Sequence, residues 1–84
     1  MDNLERIQQA VLDQRYTFTE HAYDEMDAEA AILTGRIGQI LTDDPRGVRF
    51  VVEGTACDQS TPVSVVMRFV EDARLLIITV YQTK

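Results

Sequence analysis

Apolar residues recur along the chain with two different periods. In the stretch DNLERIQQAVL, Leu4, Ile7, Val11 and Leu12 fall at helical spacing, which predicts an amphipathic helix with one apolar face. Asp2 followed three residues later by Glu5 has the spacing of a capping box at its start. The period then changes. Tyr16 and Phe18 alternate with Thr17 and Thr19, which predicts a short extended segment. Thr19 suits the N-cap of a second helix, whose apolar stripe would be Ala22, Met26 and Ala30, with Leu33 further on. Gly35 would stop that helix.

The segment RIGQIL fits either period, and TDDPRG is a turn, with Asp-Pro followed by glycine two residues later. Three strand-like runs come next, at residues 48–53, 63–70 and 75–81. The loop GTACDQSTP joins the first two, and EDAR joins the last two tightly. Short connections favour antiparallel pairing. The predicted architecture is α+β, with two N-terminal helices packed on one face of a small antiparallel sheet of three to four strands. All 84 residues form a single domain, 1–84.

A hairpin at EDAR with Glu71 opposite Arg74 sets Phe69 against Leu76, Met67 against Ile78 and Val65 against Val80. With Val48, Phe50 and Val52 these make the face that the helices cover. The other face would carry Arg49, Val51 and Glu53, then Ser64, Val66, Arg68 and Val70, then Leu75, Ile77, Thr79 and Tyr81. In this register Tyr81 lies opposite Ser64, and Arg68 lies diagonal to Thr79. Two arginines, a tyrosine and a glutamate on one sheet face can bind an anion. The same face also reads as a half-solvated surface, and its apolar residues favour something packing on it.

Composition narrows the functions. Net charge is −6 at pH 7, which argues against general binding to a phosphate backbone but leaves a local basic cluster open. Seven of the eight basic residues are arginine and the eighth is Lys84. Arginine presents a rigid fork of donors suited to carboxylates and phosphates, although a GC-rich genome would also favour it. Hydrophobic residues make up 45% of the chain, enough for a folded domain, but a domain this short buries a limited fraction of its surface. A dimer or a partner is therefore expected. Cys57 is the only cysteine and His21 the only histidine, so neither an internal disulfide nor a self-contained structural zinc site can be built. Cys57 reads as incidental, and no cofactor or metal is expected. The first fifteen residues lack the pattern of a signal peptide, and LLIITVY is too short to span a bilayer, so a soluble cytoplasmic protein without a membrane partner is expected.

His21 lies in YTFTEHAYDEM, near the start of the second predicted helix. The positive end of the helix dipole there favours a neutral imidazole. Such a group can act as a general base or donate one hydrogen bond to a nearby carbonyl. Glu20, Asp24, Glu25 and Asp27 around it read as a solvated acidic face, and no nucleophile stands beside it in the sequence.

The segments FTEHAYDEM, AILTGRI, TDDPRGVRFVVEG and RLLIITVYQ, in this order, resemble the small bacterial proteins grouped as domain of unknown function 4258. The likeness covers most of residues 16–82. That family is similar to the RelE-like and motility-quorum-sensing-regulator-like toxins, small α+β proteins of which several cleave messenger RNA. The resemblance implies a RelE-toxin-like fold and a toxin–antitoxin setting, with a small zinc-finger antitoxin-like protein as partner. The family's histidine matches His21 and its arginine matches Arg49. This chain departs from the family between Met26 and Ile32, which succeed each other almost directly. Either one helix continues there or a loop of the relatives is missing.

Two functions emerge as expectations. The first is a metal-independent ribonuclease toxin, with His21 or Glu53 as base, Arg49 and Arg68 clamping the phosphate, and Tyr81 as a donor. The second is a non-enzymatic interaction module of the same fold. It would bind a partner or a second copy through the sheet face or an edge strand such as residues 75–81. RNA is a partner only on the first.

Overall fold

The computed structural model describes residues 2–20 and 25–83, apart from the side chain of Asp72. Helix α1 spans Asn3–Leu12. Asp2 caps it: its Oδ1 accepts the Glu5 N–H at 2.8 Å. At the other end Gln14 takes the left-handed conformation, φ 59°. Arg15 N–H then reaches back to the Ala10 carbonyl and Gln14 N–H to that of Val11, which satisfies carbonyls the helix leaves open. The chain continues into β1 (Tyr16–Phe18), helix α2 (Glu25–Thr34) and the strands β2 (Arg36–Leu41), β3 (Arg49–Thr55), β4 (Pro62–Phe69) and β5 (Leu75–Gln82).

The class is α+β, as expected, but the sheet has five strands and is mixed. Its order is β1-β5-β4-β3-β2. β2, β3, β4 and β5 pair antiparallel, while β1 runs parallel to β5 with Tyr16 beside Leu75 and Phe18 beside Ile77. The expectation of three to four antiparallel strands is corrected on both counts. RIGQIL becomes a strand, and the three-residue segment at Tyr16 finds a parallel partner far along the chain. β5 is thereby an inner strand. It cannot offer the edge for a partner that residues 75–81 were expected to offer; the edges are β1 and β2.

Both helices cover one face. Ile7, Ala10 and Val11 of α1 and Ala28, Ala31 and Ile32 of α2 pack on Phe50, Val52, Val63, Val65, Met67, Leu75 and Ile77. Burying each large apolar side chain of this set stabilises the fold by roughly 1.5–3 kcal/mol. The expected stripe on α2 is not the buried one. Met26 is 73% exposed and Leu33 42% exposed, whereas Ala28, Ala31 and Ile32 are fully buried. The reason is close approach. A Cβ on Gly54 would fall 2.0 Å from the Ala31 carbonyl oxygen, so α2 rests directly on the β3 backbone at Ala31, and this contact turns Ala28, Ala31 and Ile32 inward. On α1, Leu12 likewise points out and is 63% exposed. α2 runs unbroken from Glu25 to Thr34, so one helix continues across Met26–Ile32.

The expected β4–β5 register holds at one end and fails at the other. Val65 pairs with Val80 and Ser64 with Tyr81, but Met67 pairs with Ile77 and Phe69 with Leu75. A bulge at Ile78 absorbs the extra residue and exchanges the faces of Leu75, Leu76 and Ile77. Leu75 and Ile77 are therefore fully buried under the helices, and Leu76 takes the open side. The turn explains the shift: Glu71–Ala73 form a single 3₁₀ turn, and Val70 N–H donates to the Arg74 carbonyl at 2.8 Å. No helix among the described residues is long and apolar enough to cross a membrane.

Candidate functional site

The sheet face away from the helices is ordered in three rows by the strand register. The middle row is Gln39, Val51, Val66 and Thr79. One flanking row is Arg36, Glu53, Ser64 and Tyr81. The other holds Leu41 beside Arg49 and Arg68 beside Leu76, with Arg49 and Arg68 in the position next to the Phe50–Met67 pair. The structure thus brings the two expected arginines together. It separates them from Tyr81 and Glu53, which stand four residues along the strands, about 13 Å away at ~3.3 Å per residue. His21 lies outside the described residues.

Like charges directly opposite each other on a sheet repel. Here the turn between β2 and β3 supplies a counter-charge. Asp44 begins an Asx turn: its Oδ1 accepts the Arg46 N–H at 2.9 Å, and its carbonyl accepts the Gly47 N–H at 3.0 Å. Gly47 has φ +125°, which other residues rarely adopt, so a glycine is needed to close this turn. Asp44 Oδ1 also accepts from Arg46 Nε at 3.3 Å, and Oδ2 lies 3.3 Å from Arg49 Nε. The Asp44 side chain is 5% exposed. Its carboxyl is held below the usual carboxylate range, first by the Arg46 backbone N–H, then by the Arg46 side chain and the charges of Arg46 and Arg49; burial opposes them. It therefore stays ionised near neutrality and is a poor base.

Arg49, Arg68, Asp44 and Arg46 line a cleft of about 120 Å³. Thr19, Leu76 and Ile78 complete its wall, so the β5 bulge forms part of the site. Thr19 closes the end of β1 over that bulge: its N–H donates to the Ile77 carbonyl at 3.0 Å and its Oγ1 to the Ile78 carbonyl at 2.7 Å. The Nε atoms of Arg49 and Arg68 are both buried without a hydrogen bond among the described residues; the approach of Arg49 to Asp44 is an ion pair by distance only. A second, shallower depression of about 600 Å³ adjoins the cleft and shares Arg46 and Arg68 with it. Phe69, Val70, Glu71 and Arg74 form the rest of it.

The sequence reading missed Asp44, Arg46 and Thr19. The signal for the first two was present in TDDPRG, where an aspartate before Pro-Arg-Gly both caps the turn and aims its carboxylate at the next strand. Thr19 gave no such signal, because its role depends on β1 lying beside β5. Comparison of the chain with family models, with curated proteins and with solved structures finds no match.

Proposed function

We propose that the protein binds RNA through the arginine cleft of its open sheet face, as the toxin-like member of a toxin–antitoxin pair. The observation that carries this reading is the side-by-side placement of Arg49 and Arg68: the Arg49 Nε has only the Asp44 carboxylate, 3.3 Å away, and the buried Arg68 Nε has no hydrogen bond or ion pair among the described residues. A buried donor left without an acceptor is costly, and a phosphate oxygen would satisfy it. In a metal-independent cleavage the RNA 2′-hydroxyl attacks the adjacent phosphorus, and the two guanidiniums would stabilise the charge gathering on the phosphoryl oxygens. Tyr81 and Glu53 lie too far from this cleft to exchange protons at a phosphate held there, so of the expected groups the base would be His21.

Growth and total RNA integrity after induced expression test the reading. The parent chain should arrest growth with loss of RNA, the Arg49→Ala, Arg68→Ala double variant should not, and a co-expressed zinc-finger antitoxin-like neighbour should relieve the arrest. Arrest that persists in the double variant would remove the cleft from the mechanism.

A second reading is favoured by β2, whose outer edge has no neighbouring strand among the described residues and whose Ile40 is 48% exposed. On that reading the protein is an interaction module and a partner strand, or a second copy, pairs with β2. Sedimentation at micromolar concentration, alone and with the neighbouring gene product, tests it: a lone monomer in both cases would rule it out.

A further inference from the structure

We infer, on the basis of the RNA reading above, that the cleft between Arg46, Arg49 and Arg68 receives the terminal phosphomonoester of an RNA strand, not a diester within one. Charge is the first argument. Among the described residues, the charged side chains lining the cleft are three arginines and Asp44, an excess of two positive charges. A phosphodiester carries one negative charge, whereas a phosphomonoester carries close to two above its second pKa of about 6. The monoester matches the excess and the diester leaves half of it unpaired.

Size and shape are the second argument. At about 120 Å³ the cleft is far smaller than a site for a whole ligand, so it takes a group and not a molecule. It is walled by Thr19, Leu76 and Ile78 and shares Arg46 and Arg68 with the larger depression. A terminal phosphate can enter from that depression and leave its nucleoside there, against Phe69 and Val70. An internal phosphate needs room for a nucleoside on both sides, and among the described residues the cleft shares its lining with a larger depression at Arg46 and Arg68. The third argument is donor placement. Arg46, Arg49 and Arg68 all line the cleft with guanidinium donors, and a terminal phosphate has three free oxygens to accept from them, against two in a diester.

The test uses three 2′-O-methyl RNA hexamers, which lack the attacking 2′-hydroxyl and cannot be cleaved. They are identical except that one carries a 5′-phosphate, one a 3′-phosphate, and one hydroxyls at both ends. Fluorescence anisotropy at low salt should show one phosphorylated form binding about tenfold more tightly than the hydroxyl form. That preference should vanish in Arg68→Gln and in the exposed-site variant Arg46→Gln, both checked for native circular dichroism. It should also shrink as the pH falls below about 6 and the monoester takes up a proton. Equal binding of all three hexamers would overturn this inference and leave the RNA reading standing. Failure of all three to bind would overturn both.

Discussion

Asp44 Oδ2 lies 3.3 Å from Arg49 Nε, so the turn before β3 places a carboxylate of the chain itself in the lining of the arginine cleft. Any anionic guest must share Arg49 with it. Asp44→Asn keeps an oxygen for the Arg46 N–H and removes the charge. The variant should bind inorganic phosphate or a phosphorylated RNA end about three- to tenfold more tightly than the parent, with the gain falling as salt is added. Titration calorimetry at two ionic strengths measures this; weaker binding in the variant would mean that Asp44 helps to hold the guest.

The contact between Gly54 and Ala31 makes a prediction about the fold. Gly54→Ala puts a methyl 2.0 Å from a backbone oxygen, and neither backbone can give way without moving α2 off the sheet. The loss of stability should be about 2–3 kcal/mol. Leu12→Ser, at a position 63% exposed on α1, should change stability by no more than about 0.5 kcal/mol. Urea denaturation of the two variants beside the parent is the measurement, and a tolerated Gly54→Ala would contradict the close packing of α2 on β3.

Tyr16 predicts a pH dependence. Its hydroxyl donates to the Glu29 carboxylate, and its pKa is pushed up from 10.0 to about 12, first by that hydrogen bond, then by burial and by the charges of Glu29 and Glu25. Folding thus favours the neutral phenol. The stabilisation is whole below the unfolded value near 10.0 and is lost as the pH rises through about 12. Tyr16→Phe should be less stable than the parent at pH 8, by about 1 kcal/mol, with the difference closing under strong alkali. Denaturation at the two extremes, with an absorbance titration to find the late-ionising tyrosine, checks both parts.

What the sequence revealed depended on how local the cause was. Asp2, Gly35 and the TDDPRG turn act within a few residues, and each was legible. The face carrying Arg49, Val51 and Glu53 was legible because β3 is bounded by that turn. β5 was not, because LLIITV offers apolar residues to both faces, so alternation could not fix its register and the 3₁₀ turn with the Ile78 bulge did. The parallel pairing of β1 with β5 joins residues 16–18 to 75–77, and no local pattern announces it. α2 misled for another reason. Spacing placed the stripe on Ala22, Met26, Ala30 and Leu33, whereas the close contact of Ala31 with the β3 backbone at Gly54 turns Ala28, Ala31 and Ile32 inward. The arginine pair was expected from strand alternation alone, while Tyr81 was grouped with it because a shared face says nothing about distance along the strands.

The position of β5 has a consequence for how the chain acquires its structure during synthesis. β5 is the last of the five strands to be made, yet it sits between β1 and β4. Until Gln82 has left the ribosome, Tyr16 and Phe18 have no strand to pair with, and Ile7, Ala10 and Val11 wait without part of the floor they pack on. Domains whose early segments fold as they emerge gain protection during translation at about 5–20 residues per second. This chain gains it late. Until β5 is made, the first helix and first strand expose apolar surface that the finished sheet covers, which leaves that interval open to a chaperone.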